Sequence, residues 1–246
     1  MVIIRIMPND LVSVIIPSYN RFEYLTNAIN SVLNQTYKNF EIIVVNDAST
    51  QKEYYDNVFE DKVNFVNLKE NETQKHPGLG PGKVRNYGID IAKGKYLAFL
   101  DDDDLWLPQK LEVQISSLEN STCKMSSTEG YFGDGVYNDN KSYQLYNKER
   151  FYKTLKKKYR GSGLLKRGAF PEIWDLDFLK IHNCIITSSV MVEKEIFDIV
   201  GGFRGIPAPT FEDYDCWLGI LHHTSSLYID KPLFYYDSMH GKGREY

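Results

Sequence analysis

The sequence has little sulfur, no excess of positive charge and no long apolar run. Its 246 residues include three cysteines, Cys123, Cys184 and Cys216. The count is odd and no pair has zinc-site spacing, so the expected state is reduced, buried thiols in an intracellular protein. The net charge of −4 argues against nucleic acid as a partner. Residues 1–17 are apolar, but Arg5, Pro8, Asn9 and Asp10 interrupt them, so this start is expected to be neither a signal peptide nor a transmembrane span. No other stretch is long enough to span a bilayer. The expected location is cytoplasmic, with peripheral membrane contact left open. Repeats and low-complexity tails are also missing. A dinucleotide fingerprint is missing too: in "GLGPGKVRN" the glycines are Gly78, Gly80 and Gly82, and the third comes one residue early.

What is present is ordinary in amount and informative in order. Hydrophobic residues make up 42% and charged residues 25%, which suits one soluble domain. "VSVIIP" (12–17), "FEIIVV" (40–45), "VNFVNL" (63–68) and "KYLAFL" (95–100) read as strands, the first two as runs buried on both faces. Pro17 is expected to end the first. Residues 21–35 have helical spacing with Asn20 as N-cap, and 82–94 read as a helix closed by Gly94. Pro108 opens another helix, with Leu111, Ile115 and Leu118 on one face. This alternation predicts a mostly parallel α/β sheet with helices on both faces.

The second half is less regular. Residues 129–139 suggest a hairpin. A basic run follows, with Lys153, Lys156, Lys157, Lys158, Arg160, Lys166 and Arg167, read either as a solvated loop or as a guide for an anionic acceptor or headgroup. "CIITSSVMV" (184–192) reads as a strand and "KEIFDIVG" as a short helix ended by Gly201. "FEDYDCWLGILHH" (211–223) reads as a helix with Trp217, Leu218 and Leu221 inward, and residues 226–237 as one or two strands.

The residues with chemistry lie at the ends of these elements. Asp101, Asp102, Asp103 and Asp104 follow the fourth strand, at the sheet edge where α/β proteins bind ligands. Carboxylates this close repel, and a magnesium or manganese ion would relieve them. The plain alternative is a strand-to-helix turn with acids at the helix start. Asp47, at the end of the second strand, can accept from a base N–H or cap a helix. Arg85 could reach a phosphate or be an exposed helix residue. Glu212 and Asp213 open a helix, where acids are at home.

In this order, "VSVIIPSYNR", "EIIVVNDAST", "GKVRNYGIDIAKGKYLAFLDDDDLWLPQKLE", "IITSSVMVEKEIFDIVGGF" and "FEDYDCWLGIL" resemble a family 2 glycosyltransferase with the A-type fold. The resemblance covers most of 11–119 and 184–221; segment 121–183 lies outside it. It implies one domain, with residues 1–120 as the nucleotide-sugar half and 121–246 as the acceptor half. It implies that Pro17, Tyr19, Asn20 and Arg21 line the nucleotide pocket with Asp101 and Asp102, that Asp47 meets the base and that Arg85 sits near the donor. Asp101 to Asp103 fall on the family's D-x-D motif, with Asp103 foremost as metal ligand beside Asp101 and His240. The family's C-terminal pattern has a basic residue between Tyr and His; "FYYDSMHGKG" has Asp237 and Ser238 there. Asp213 falls on the general base and Glu212 beside it.

The implied activity is a metal-dependent, inverting transfer. A sugar moves from a nucleotide-diphosphate donor, with uracil as the family-weighted base, to a glycan, lipid-linked or protein acceptor. Two alternatives stay open. One is an inactive nucleotide-sugar-binding module, which would not need "FEDYDCW". The other is a sugar nucleotidyltransferase, which would need a glycine-rich loop where "PSYNRFEYL" has none.

Overall fold

Both faces of the first strand are covered, which is why its residues are apolar without alternation. In the computed structural model, which describes residues 9–56, 59–76, 80–165, 169–204 and 211–239, β1 (Val12–Ser18) is buried along its whole length. Ile15 points into one core, while Val14 and Ile16 point into the other. The helix α1 (Phe22–Leu33) packs Leu25, Ala28, Ile29 and Val32 onto the Val14 face. Next come β2 (Phe40–Asn46), the short α2 (Glu53–Asp56), β3 (Val63–Asn67) and the short α3 (Glu72–Lys75). On the Ile15 face, α4 (Gly82–Ile91) places Val84 and Ile89 against the sheet before β4 (Tyr96–Phe99). The chain then forms β5 (Leu105–Trp106), α5 (Lys110–Glu119), β6 (Met125–Gly133), β7 (Gln144–Leu145) and α6 (Tyr152–Lys158). It ends with β8 (Ile173–Trp174), α7 (Leu176–Ile181), β9 (Met191–Glu193), α8 (Lys194–Val200), α9 (Glu212–Ile220) and β10 (Ser226–Asp237).

All the described strands join one sheet, in the order β3-β2-β1-β4-β9-β6-β10-β5, with β7 on β6 and β8 on β10. The long ladders β3-β2-β1-β4 and β6-β10 are parallel. The short β9 runs antiparallel between β4 and β6 and stitches the two parallel blocks together. The predicted α/β class holds, as a mixed sheet with helices on both faces and one continuous body.

Several local expectations are corrected. Pro17 lies inside β1, opposite Val45, and does not end it. Side and ladder direction alternate along a strand, so Pro17 faces the same neighbour as Ile15. Pairing with β4 stops at Ile15, so the proline has no ladder bond to lose there. Asn20 is not the cap of α1; Arg21 holds that position, and its side chain makes no capping bond to the helix. Asn20 adopts φ 50°, a conformation asparagine tolerates, and its Oδ1 accepts from the Thr50 amide at 2.7 Å. It thereby ties the loop after β1 to the loop after β2.

Gly94 does not close α4, which ends at Ile91 with Ala92 as its C-cap. A Cβ at Gly94 would lie 2.5 Å from the Ser13 amide, so glycine there permits close approach to β1. The hairpin from β6 returns at Gln144–Leu145, beyond the 129–139 stretch. Residues 184–192 are not one strand: only β9 pairs, and Thr187–Ser189 form a single 3₁₀ turn. Their hydroxyls are buried and bond to other groups, which replaces ladder pairing. Gly201 does end α8, at φ 77°. Trp217 and Leu221 are buried as expected and Leu218 half-buried. Residues 226–237 form one strand, with register shifts between Ile229 and Phe234.

Candidate active site

The carboxyl ends of β1, β2 and β4 converge on one edge of the sheet. There Pro17, Tyr19, Arg21, Asp47 and Asp101 to Asp103 surround a single cleft. Asn20 holds the two loops beside it. The Asp run is a turn that leads into a strand, not a helix start: the Asp104 amide donates to the Asp101 carbonyl at 3.0 Å, and β5 follows. The strand-to-helix alternative is therefore set aside.

Arginine and hydroxyl groups offset most of the crowding in this turn. Arg21 Nη2 lies 2.5 Å from Asp102 Oδ1, and Nη1 lies 2.9 Å from Asp103 Oδ2. Ser18 Oγ donates to Asp102 Oδ2 at 2.6 Å and meets the Tyr54 hydroxyl at 2.5 Å. That hydroxyl also accepts from the Arg21 amide. Burial still pushes the Asp102 carboxyl up to about 7, against the pull of Arg21 and with Asp103 and Asp101 adding to it. Asp104 is buried and its carboxyl is held well above the usual range, first by burial and then by Asp103 and Asp101. It accepts from Ser188 Oγ at 2.5 Å and from the Asp237 amide at 3.1 Å. Ser188 Oγ in turn accepts from the Asp101 amide at 3.1 Å, so one hydroxyl fixes both ends of the turn. Beneath it, Trp106 Nε1 donates to the Ser188 carbonyl at 2.8 Å and Lys110 Nζ reaches the Ser189 carbonyl at 3.4 Å.

Carboxylate oxygens of Asp101, Asp103 and Asp104 lie within 4.8 Å of one another. An all-oxygen set of this kind, gathered on one turn with Asp104 buried, fits a hard dication such as magnesium or manganese. Asp104 thus joins Asp101 and Asp103 as a possible ligand, which the sequence did not single out. His240 lies outside the described residues.

Asp47 is buried and its carboxylate accepts from the Glu72 amide at 2.6 Å and the Thr73 amide at 3.1 Å. Asp47 thus holds the first two amides of α3, whose N-cap is Asn71, while it also lines the cleft. Arg85 is a helix residue but not an exposed one: it sits in α4 with 2% of its surface accessible. Its Nη2 lies 2.5 Å from Asp101 Oδ1, its Nη1 lies 3.5 Å from Glu212 Oε1, and the guanidinium lies 5.4 Å from the Phe203 ring centre. Burial works against its charge, but Asp101, Glu212 and Asp213 outweigh burial and raise its affinity for the proton. The two acidic groups, 111 residues apart in sequence from Asp101 to Glu212, therefore meet across one arginine.

The glycines of residues 78–82 find a use here. A Cβ at Gly80 would stand 2.6 Å from Glu212 Oε1, and one at Gly82 would stand 2.5 Å from Glu212 Cγ. Glycine at these positions makes room for Glu212. Gly78 lies outside the described residues. Asp213, half-buried in the first turn of α9, accepts from the Tyr214 amide at 2.6 Å and from Thr187 Oγ1 at 3.3 Å. The helix start is expected to favour its ionised form. Instead burial, followed by repulsion from Glu212, pushes it up to about 6, with Arg85 opposing. The sequence reading missed Ser18, Tyr54 and Ser188. The only visible signal for Ser188 was three consecutive hydroxyl residues inside an apolar run.

Residues 13–191 match the model of the family described as glycosyl transferase family 2. An uncharacterised glycosyltransferase of Rickettsia typhi is 36% identical over 94% of this chain and 65% of its own length. The Escherichia coli protein WfgD, a UDP-Glc:alpha-D-GlcNAc-diphosphoundecaprenol beta-1,3-glucosyltransferase, is 40% identical over 46% of this chain and 42% of its own. The chain thus spans less than two thirds of the length of either relative. Among solved structures, S. aureus TarS superposes with a TM-score of 0.59 at 20% identity, over 92% of this chain and 36% of that one. Its 1–349 form is also known in complex with UDP-GlcNAc, with a TM-score of 0.57 at 18% identity over 92% of this chain and 58% of that one. These solved structures share the fold.

Proposed function

The chain belongs to glycosyl transferase family 2, and from that premise we propose that it moves a sugar from a UDP-linked donor to a hydroxyl of a glycan or lipid-linked acceptor, inverting the anomeric carbon. The observation that carries this is the Arg85 bridge, which holds an acidic turn suited to a cation-bound diphosphate and an acidic helix start suited to an acceptor at one place. UDP as carrier is supported by the UDP-GlcNAc complex of TarS and by the UDP-Glc in the description of WfgD. The lipid-linked acceptor is supported by the latter alone.

In this reading Pro17, Tyr19 and Arg21 hold the nucleotide, and the second lone pairs of Asp47 receive a base N–H. A manganese or magnesium ion on Asp101, Asp103 and Asp104 would neutralise the diphosphate as it leaves. Asp213 takes the proton from the acceptor hydroxyl as that oxygen attacks the anomeric carbon. The bond to the diphosphate breaks on the opposite side and UDP leaves. One base and one displacement suffice, so the configuration inverts. Glu212, anchored by Arg85, orients the acceptor. At a proton affinity of about 6, Asp213 is mostly ionised at neutral pH yet basic enough to assist.

The test is incubation with a panel of nucleotide sugars, manganese and a glycan or lipid-linked acceptor pool, read as released nucleotide diphosphate. UDP release with at least one donor, dependent on Asp213, is expected. Release of no diphosphate from any donor, together with unimpaired UDP binding, would leave a binding module in its place.

A further inference from the structure

Segment 121–183 brings aromatic rings to the flank of the two acidic groups. At the ends of β6 and β10, Tyr131 pairs with Tyr235 and Phe132 with Tyr236. Successive strand residues point to opposite sides, so these rings separate into two sets. Tyr235 meets Tyr137 and Tyr143, and Tyr143 meets Tyr131. Phe132 and Tyr236 stack at 6.0 Å with an interplanar angle of 18°. Both also meet Tyr146, at 6.1 and 5.4 Å, and Phe151 packs on Tyr146 at 4.7 Å. Tyr146 opens a single π-type turn, Tyr146–Arg150, and the Arg150 guanidinium lies 4.9 Å from the Phe132 ring centre.

This second set has three properties that a packing cluster does not need. Its four rings are all half-buried. Its strand ends lead to the site, where Thr187 donates to Asp213 and the adjacent Ser188 donates to Asp104. Tyr236 also precedes Asp237, whose amide holds Asp104. Finally, an exposed arginine stands at its rim.

We propose that Phe132, Tyr146, Phe151 and Tyr236 form the seat of the acceptor's sugar, with a pyranose laying its C–H face on the rings and turning a hydroxyl toward Asp213. The inference rests on the transferase reading and adds the place and residues that hold the acceptor's sugar. A pyranose has apolar faces and a rim of hydroxyls; half-exposed rings with phenol and guanidinium edges match both. An anionic group would be a poorer occupant at this place, since it would face Asp104 and Asp213.

Saturation-transfer NMR with the methyl glycosides of glucose, galactose and N-acetylglucosamine tests this, with UDP titrated in parallel. Irradiation of aromatic protons should saturate ring C–H protons of at least one glycoside in the unmodified protein and in Tyr146→Phe. In Tyr146→Leu and Tyr236→Leu the glycoside affinity should fall about 3–10-fold, the worth of an aromatic contact, with UDP affinity unchanged. Equal affinity in the leucine variants, or no saturation of any glycoside in the unmodified protein, overturns the proposal. If a leucine variant fails to fold, the unmodified protein still decides: sugar protons that saturate no better from aromatic than from methyl irradiation overturn it. Loss of UDP binding with glycoside contacts intact would instead count against the donor reading alone.

Discussion

The two acidic groups that meet at Arg85 are held in opposite ways. Asp101 to Asp104 form a turn between two strands, and short bonds reach it from Ser18, Arg21, Ser188 and the Asp237 amide. Glu212 and Asp213 open a helix, and from other elements they receive longer contacts, 3.5 Å from Arg85 and 3.3 Å from Thr187. The first group is offset in part by arginine and hydroxyl groups from other elements, and so is organised before a diphosphate arrives. The second is only lightly restrained, which suits a carboxylate that takes up and gives up a proton.

The largest effect should come from removing the proton acceptor on the lightly held side. Asp213→Asn keeps the size and loses the basicity, so kcat should fall by about 10²–10⁴-fold while UDP affinity holds. Glu212→Gln should cost less. The pH dependence follows from the shift: the base must be ionised, so activity should rise with pH through about 6, and the asparagine variant should lose that limb. Stability runs the other way. A carboxyl raised from 3.8 to about 6 in the folded chain stabilises fully below pH 3.8 and loses that contribution as pH rises through about 6. Asp213→Asn should therefore melt higher than the unmodified protein at neutral pH, and an equal or lower Tm would show that the carboxyl is not strained there. A larger kcat loss in Glu212→Gln would move the base one residue earlier.

This contrast was only partly legible in the sequence. Continuous apolar runs marked β1 and β2 because strands covered on both faces need no alternation. The Asp turn and the Glu212–Asp213 pair stood out because clustered acids at element ends are locally visible. What joins them was hidden, since it consists of contacts between distant residues. Arg85 reads as any helix arginine until Glu212, 127 residues later, is folded against it. The room made by Gly80 and Gly82 is likewise defined by a side chain on another helix. Ser188 was lost because three hydroxyl residues in an apolar run look like strand, and only their burial beside Asp104 shows why the strand breaks. Asn20 looked like a cap because local rules favour it, and the loop after β2 claims its side chain instead.

On the densely bonded side, the test is to remove one carboxylate or its cation. Asp103→Ala, or a chelator added to the unmodified protein, should weaken UDP binding by about 10–100-fold, the worth of a charged interaction. Calorimetric titration of UDP with and without manganese reads this. Equal affinity in all conditions would remove the cation and leave Arg21 as the group that meets the diphosphate.

A smaller effect is expected from the hydroxyl that pins the turn. Ser188→Ala leaves Asp104 Oδ2 and the Asp101 amide each short of a partner. It should cost about 1–3 kcal/mol, or a few to about ten degrees in Tm. Because Ser188 holds the turn's geometry, UDP affinity should fall along with stability. A Tm within a degree of the unmodified protein would mean that water replaces the hydroxyl and that the turn is held from the Arg21 side alone.

The smallest effect on folding should come from charges that neither group uses. Helix α6 is fixed by Leu155 and Tyr159, one turn apart and both buried, while Lys153, Lys156, Lys157, Lys158 and Arg160 are exposed. Lys166 and Arg167 of the same basic run lie outside the described residues. Surface charge away from packed contacts carries little stability, so reversing Lys156, Lys157 and Lys158 to glutamate should shift it by about 0.5 kcal/mol or less. The helix end prefers cations, so the small shift should be a loss. Binding to vesicles that contain anionic phospholipid should change far more, since each lysine near such a surface contributes about 1 kcal/mol. That binding should also weaken steeply as salt rises, because nothing on α6 screens these charges from solvent. Donor-side UDP affinity should be untouched, which separates this surface from the Arg21 and Arg85 charges that the site consumes internally. Vesicle binding that is equal in both proteins across a salt series would reduce the run to a solvated helix face and leave both acidic groups without a membrane guide.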